Sequence, residues 1–104
     1  MSYEVTIYYG DTGAALWSRN ITSNVAPMWR HAGCDLAEFD GSTADELEPV
    51  VSTAIDRMVA CESTFRAMNP SNGWGSYEGC LSFLRNLHDA CLLFAGGNRV
   101  GVAR

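Results

Sequence analysis

Two stretches of this 104-residue chain repeat apolar residues at the spacing of one face of an α-helix. The first begins near Thr43 and Glu46, which have the spacing of a capping box. Its apolar positions are Leu47, Val51, Ala54, Met58, Cys61, Phe65 and Met68. The second is predicted from about Ser76 to Phe94, and its apolar side consists of Cys80, Leu84, Leu87, Cys91 and Phe94. Because each helix must bury its apolar face, the two stretches predict a helical layer over the core.

The segments around these helices have the alternating pattern of β-strands. Residues 3–9 alternate apolar and polar side chains, and turn residues at 10–13 lead to a predicted return arm at about 15–22. A short helix is predicted over residues 25–32. A final strand is predicted over residues 99–103, paired beside the first.

Together these elements predict an α+β fold in the order β-β-α-α-α-β. Its small, mainly antiparallel three-stranded sheet carries the helices on one face. The length favours a single domain over residues 1–104, with 47% hydrophobic and 18% charged residues. No apolar run approaches the length of a membrane span, and no basic or apolar leader follows Met1, so a cytoplasmic location is expected.

The formal net charge of the chain is -5, and its acids are concentrated in residues 35–48, here called the acidic segment. The seven basic residues are all arginine and are spread from Arg19 to Arg104 without forming a stripe. Binding to a nucleic-acid backbone is therefore not expected. One alternative function is a protein-binding inhibitor that inserts the acidic segment into a basic groove of a host protein.

The two helical stretches are joined by an Asn-, Gly- and Pro-rich segment, residues 69–78, here called the central loop. Gly73 and Gly75 allow positive φ angles and a close approach of the backbone to another segment. Because the loop opens onto a helix, the N–H groups of residues 75–77 are expected to attract an anion or a carboxylate. The carboxylate of Glu78 is able to occupy the same place.

The side chains of the central loop have two interpretations. In the first, Asn69 and Asn72 close turns and Trp74 packs into the core. In the second, the two carboxamides and the flat rings of Trp74 and Tyr77 hold a nucleobase, a ribose or a peptide.

A second amide-rich segment, residues 20–24, lies immediately before the short helix. If the two segments converge, Asn24, Trp29, Asn72 and Trp74 line one concavity. The alternative is that Asn24 caps the helix while Trp29 packs inside. The predicted ligand-binding residues are Asn24, Trp29, Asn69, Asn72, Gly73, Trp74 and Tyr77.

No pattern in the sequence identifies an enzyme. His31 and Cys34 form a local histidine and cysteine pair at metal-ligand spacing, and no Cys-x-x-Cys occurs. Cys80 and Cys91 lie among leucines, where cysteine behaves as a small buried hydrophobe. Ser76 lacks the glycines of a nucleophile elbow. No metal or cofactor is predicted, and a small cysteine-dependent enzyme is a further alternative.

Residues 20–28 and the central loop together resemble a group of small uncharacterised proteins from actinobacteria and their phages, and the resemblance spans most of the chain. It implies a phage or prophage accessory protein and supplies no catalytic residue. The resulting prediction is a non-enzymatic binding protein, in the form of an anti-defence module that sequesters a small polar, nucleotide-like ligand. The predicted partner is such a ligand or a host protein, and exposed aromatic rings also allow a homo-oligomer.

Overall fold

The computed structural model describes residues 2–10 and 13–104, so Asp11 and Thr12 of the predicted turn lie outside the described residues. Its strands are β1 (Ser2–Tyr8), β2 (Ala15–Thr22) and β3 (Arg99–Ala103), and its α-helices are α1 (Ala26–His31), α2 (Ala44–Ala60), α3 (Glu62–Arg66) and α4 (Tyr77–Leu93). Short 3-10 helices cover Ser23–Val25 and Leu36–Phe39. The predicted α+β fold is confirmed.

The three strands form an antiparallel sheet in the order β2-β1-β3. Ile7 lies opposite Trp17 of β2 and Val100 of β3, so the register places apolar side chains of all three strands on one face. Val5 and Ile7 on this face are completely buried, whereas Glu4 on the other face is exposed. The sheet therefore has one face against the core and one polar face, as expected for an antiparallel sheet covered on a single side.

Helices α2 and α4 supply the predicted apolar faces. The large, completely buried side chains of these two helices are Leu47, Val51, Met58, Leu84 and Leu87. The capping box is present: Thr43 N donates to Glu46 Oε1 at 2.9 Å, and Glu46 N donates to Thr43 Oγ1 at 3.1 Å. None of the helices in the described part of the chain has the length and apolar character needed to span a membrane.

The predicted helical stretch that begins at Thr43 is divided in two. Cys61 takes φ -115° and ψ 42°, which are not helical, so α2 ends and α3 begins at this residue. Cys61 was expected on the core face but is exposed, because its backbone leaves the helical conformation on which that expectation depended. Phe65 of α3 is buried as expected.

The predicted surface loop between α1 and α2 contains a short helix and covers one edge of the sheet. Gly41 N donates to Val100 O at 2.8 Å, and Val100 N donates to Ser42 O at 2.8 Å. Asp40 Oδ1 accepts from Val102 N at 2.9 Å. These bonds satisfy the outer edge of β3, which leaves β2 as the open edge strand.

Asp45 joins the start of α2 to the end of α4. Its Oδ1 accepts from Gly96 N at 2.9 Å and from Gly97 N at 3.1 Å. These backbone donors, with Gly97 first, hold the pKa of Asp45 below its usual value. The ionised carboxylate is therefore favoured by folding.

Asp45→Asn should lower the free energy of unfolding at pH 7. The Asp45 carboxylate has a lower pKa in the folded chain, so its contribution is complete above the unfolded pKa of about 3.9 and is lost as pH falls through the folded pKa. Urea unfolding at a series of pH values should show the wild-type advantage over Asp45→Asn shrinking below about pH 4. Asp56→Asn, an exposed control on α2, should match wild type at pH 7. An advantage that persists unchanged into acid would contradict this role of Asp45.

Candidate functional site

The central loop forms a tight turn that directs Trp74 outward. Asn72 Oδ1 accepts from Trp74 N at 2.9 Å, and Gly73 N donates to Pro70 O at 3.3 Å. Gly73 takes a φ of +76°, which glycine adopts without steric cost. The Trp74 side chain is 69% exposed. The turn thus fixes the backbone of an indole that the core does not cover.

Gly75 brings this loop against the end of β2. A Cβ atom at Gly75 would lie 2.8 Å from Thr22 Cγ2 and 2.8 Å from Val25 Cγ1. These separations are shorter than van der Waals contact, and the φ of Gly75 is +108°. Only glycine allows the backbone to approach so closely here. The two amide-rich segments that the sequence could not place together therefore meet at this residue.

Their meeting forms an open cavity of about 520 Å³, lined by Ser2, Thr22, Asn24 and Trp74 and called here the Trp74 concavity. Ser2 and Thr22 lie directly opposite each other in the pairing of β1 with β2. No feature of the sequence marks Ser2 as a site residue. It is identified only by the register of β1 with β2. Asn24 and Trp74 are the two predicted ligand-binding residues that line the concavity.

The concavity is lined by neutral polar side chains and by one aromatic ring, that of Trp74. Asn24 N donates to Thr22 Oγ1 at 3.3 Å, whereas the Asn24 carboxamide makes no hydrogen bond to residues 2–10 or 13–104. This carboxamide can therefore both donate to a ligand and accept from it. The hydroxyl groups of Ser2 and Thr22 add two further donors. All four lining side chains are uncharged.

The remaining predicted residues have structural roles. Asn69 Oδ1 accepts from Tyr77 N at 2.8 Å, and the buried Tyr77 hydroxyl donates to Met58 O at 2.8 Å. Trp29 is completely buried and makes an edge-to-face contact with Tyr3 at 5.1 Å between ring centroids. Trp29 and Tyr77 do not line the Trp74 concavity, because the core encloses both rings.

The predicted anion position at the start of α4 is filled by the protein's own groups. Asn69 and Ser76 accept from Tyr77 N and Gly79 N respectively. The Glu78 carboxylate bonds Arg66, and this hydrogen bond is the main cause that lowers the pKa of Glu78. An incoming anion would have to displace these partners.

Arg66 lies beside a second cavity, of about 510 Å³, between α4 and the end of α2. Its Nε donates to Glu62 Oε2 at 2.6 Å, and its guanidinium lies 4.6 Å from the centroid of the Tyr77 ring. With Glu78 as a further partner, the cation is already fully paired. A ligand in this cavity would have to displace these partners to reach Arg66, whereas Ser82, Arg85 and Asn86 also line it.

Three of the four thiols are poorly placed for catalysis, and Cys61 is the exposed one. Cys34, Cys80 and Cys91 are buried, and burial raises the pKa of each thiol to about 12. The His31 ring packs on Phe65 with 5.3 Å between ring centroids. Within the residues that the structure describes, no group of three or more histidine, cysteine or acidic side chains is arranged to hold a metal ion.

The acidic segment is largely used by the fold. Asp40 and Asp45 accept backbone hydrogen bonds from distant segments, and Glu46 completes the capping box. Asp35 Oδ1 accepts from Ala37 N at 3.3 Å, and Glu48 lies 3.4 Å from His88 Nε2. These contacts within the fold account for the concentration of acidic residues in this segment. No basic partner protein is needed to explain it.

Gly75→Ala should destabilise the chain more than Gly73→Ala. Both substitutions place an alanine at positive φ, which costs about 1–2 kcal/mol. At Gly73 the added Cβ meets open space, whereas at Gly75 it collides with Thr22 and Val25. Displacing these contacts should add about 1–3 kcal/mol at Gly75. Urea unfolding measures the difference, and equal losses for the two variants would show that Gly75 is not in close contact.

Comparison of the chain with family models, curated proteins and solved structures gives no match. The resemblance to actinobacterial and phage proteins therefore stays a prediction. The case for a function depends on the geometry and chemistry of the Trp74 concavity.

Proposed function

We propose that this protein is a non-enzymatic binding module that holds a small polar ligand in the Trp74 concavity. The observation that carries the proposal is that Trp74, which is 69% exposed, lines one cavity with Asn24, whose carboxamide makes no hydrogen bond within the described residues. A ligand that covers about 80 Å² of the indole removes apolar surface from water and gains about 2 kcal/mol. The neighbouring carboxamide and hydroxyl groups supply orientation and specificity.

The concavity is built on constrained backbone. Asn72 bonds the backbone of Trp74, and Gly75 rests against Thr22 and Val25. Little conformational entropy of the loop is therefore lost when a ligand binds. This preorganisation supports binding as the role of the exposed ring.

The chemistry of the lining favours binding over catalysis. Ser2, Thr22, Asn24 and Trp74 have no titratable side chain among them that exchanges a proton near neutral pH. General acid or base catalysis needs such a group within hydrogen-bonding distance of the substrate. The concavity has the parts of a recognition site and lacks those of an acid-base mechanism.

The biological setting that we propose is a phage or prophage accessory protein acting in the host cytoplasm. This part of the proposal rests on the resemblance carried by residues 20–28 and the central loop. Capture of a small signal molecule, as in an anti-defence module, needs binding and no turnover. A concavity with a single exposed ring and neutral polar groups suits that task.

The proposal is tested by proton-nitrogen NMR of the labelled protein against nucleosides, nucleotides, amino acids and neutral sugars. At least one class should shift the Trp74 indole N–H and the Asn24 carboxamide signals. Trp74→Ala should weaken that binding about tenfold or more, as expected when a stacked ring is removed. Asn24→Ala should weaken it without lowering the melting temperature, because the Asn24 carboxamide makes no bond within the described residues.

Tyr9→Ala is the matched control, since Tyr9 is a second exposed aromatic residue, at 58% exposure, away from the concavity. It should bind like wild type. Failure of every class to move the Trp74 and Asn24 signals would refute the proposal. Native mass spectrometry showing a dimer that Trp74→Ala dissolves would assign the exposed indole to self-association instead.

A further inference from the structure

We infer that the ligand of the Trp74 concavity is an uncharged saccharide. Its C–H face lies on the indole of Trp74, and its hydroxyl groups bond Asn24, Thr22 and Ser2. This inference rests on the proposed function and specifies the chemical class of its ligand.

The polar groups of the concavity match those of a sugar ring. Each hydroxyl of a sugar can donate one hydrogen bond and accept others, and adjacent hydroxyls present both roles side by side. The Asn24 carboxamide has the same paired roles, with its N–H₂ and its oxygen in one plane. The hydroxyl groups of Ser2 and Thr22, opposite each other on β1 and β2, also act in both directions. A neutral polyhydroxyl ligand can satisfy all of them.

The single exposed ring also favours a sugar. The π face of an indole carries partial negative charge, and it attracts the weakly positive C–H bonds on the flat face of a pyranose. A stacked nucleobase gains most when both of its faces are covered. Trp74 is the only aromatic side chain that lines the concavity among the residues the structure describes.

The charges around the concavity disfavour a phosphate group. Neither lysine nor arginine lines it within the described part of the chain. The next residue of β1 on the same face of the sheet is Glu4, which is exposed. The N–H groups at the start of α4 already bond Asn69 and Ser76. Among the described residues, a nucleotide would therefore find no cation in the lining, and the charged residue that follows on this face of β1 is an acid.

Polar side chains continue from the concavity along the open face of the sheet. Beyond the Ser2 and Thr22 pair come Glu4 opposite Asn20, and then Thr6 opposite Ser18. Thr6 is buried and its Oγ1 is hydrogen-bonded to Ser18 Oγ at 3.1 Å, so the exposed polar residues along this face are Glu4, Asn20 and Ser18. Successive pairs on this face are about 7 Å apart along the strands. This spacing provides room for more than one sugar unit, so an oligosaccharide should bind more tightly than a monosaccharide.

The test is an NMR titration of the whole chain with maltotriose, cellotriose, triacetylchitotriose, glucose, adenosine and AMP. At least one trisaccharide should shift the Trp74 indole N–H and Asn24 carboxamide signals, and should bind more tightly than glucose. Trp74→Ala should weaken that binding about tenfold or more, and Tyr9→Ala should leave it unchanged. Asn20→Ala should reduce the preference for the trisaccharide. Because the ligand is neutral, binding should be the same at about 0.05 and about 0.5 M NaCl.

Three outcomes would overturn the saccharide inference. Binding of adenosine or AMP at Trp74 with no response to any of the sugars would replace the ligand class and leave the proposed binding function standing. Sugar binding that survives Trp74→Ala would place the sugar elsewhere on the protein. The absence of any response at Trp74 to all six compounds would also overturn the inference. If none of the compound classes used to test the proposed function shifts the Trp74 signal either, the proposed function is refuted as well.

Discussion

The close contact of Gly75 with Thr22 and Val25 is the constraint on which the candidate site depends. It joins the segment between the helices to the end of the hairpin, two parts of the chain that are about fifty residues apart in sequence. The contact needs a residue without a side chain, because any Cβ atom would overlap two methyl groups. Without this contact, Trp74 would have no opposite wall formed by Thr22 and Asn24. The concavity is thus a consequence of tertiary packing and not of the central loop alone.

The side chains of the two amide-rich segments fall into two sets, those that bond the backbone and those that are left exposed. Asn69 and Asn72 bond the backbone around the start of α4 and hold the loop in place. Asn24 and Trp74 are exposed, and both line the Trp74 concavity. A large exposed apolar ring next to unused hydrogen-bonding groups gives no stability to the isolated chain. We propose that a partner covers it and that the neutral lining selects the chemistry of that partner.

Much of the fold could be predicted from the sequence because its signals are local. Alternation identified β1, and the capping box identified the start of α2 at its observed residue. The break at Cys61 could not be predicted, since the apolar spacing continues through it and no Gly or Pro marks it. The short helix at Leu36–Phe39 also escaped prediction. It is stabilised by a single side-chain cap from Asp35. A cap of this kind produces no periodic pattern of apolar residues from which the helix could be predicted.

The candidate site could be predicted only in part. The sequence identified Asn24 and Trp74, but it could not decide whether Trp29 or Trp74 is exposed, because both follow an amide-rich segment. Trp29 lies on the inner side of α1 next to buried Met28, whereas Trp74 lies between two glycines at positive φ. Burial of this kind is decided by packing between distant elements. The convergence of the two segments and the participation of Ser2 likewise depend on tertiary contacts and strand register.

The most direct test is a nuclear Overhauser measurement on the unligated protein, focused on the Hα protons of Gly75. Cross-peaks from these protons to the methyl groups of Thr22 and Val25 are expected, because the backbone of Gly75 lies against both side chains. Absence of the Gly75 cross-peaks, with Trp74 signals at positions typical of an unstructured chain, would contradict a preformed concavity.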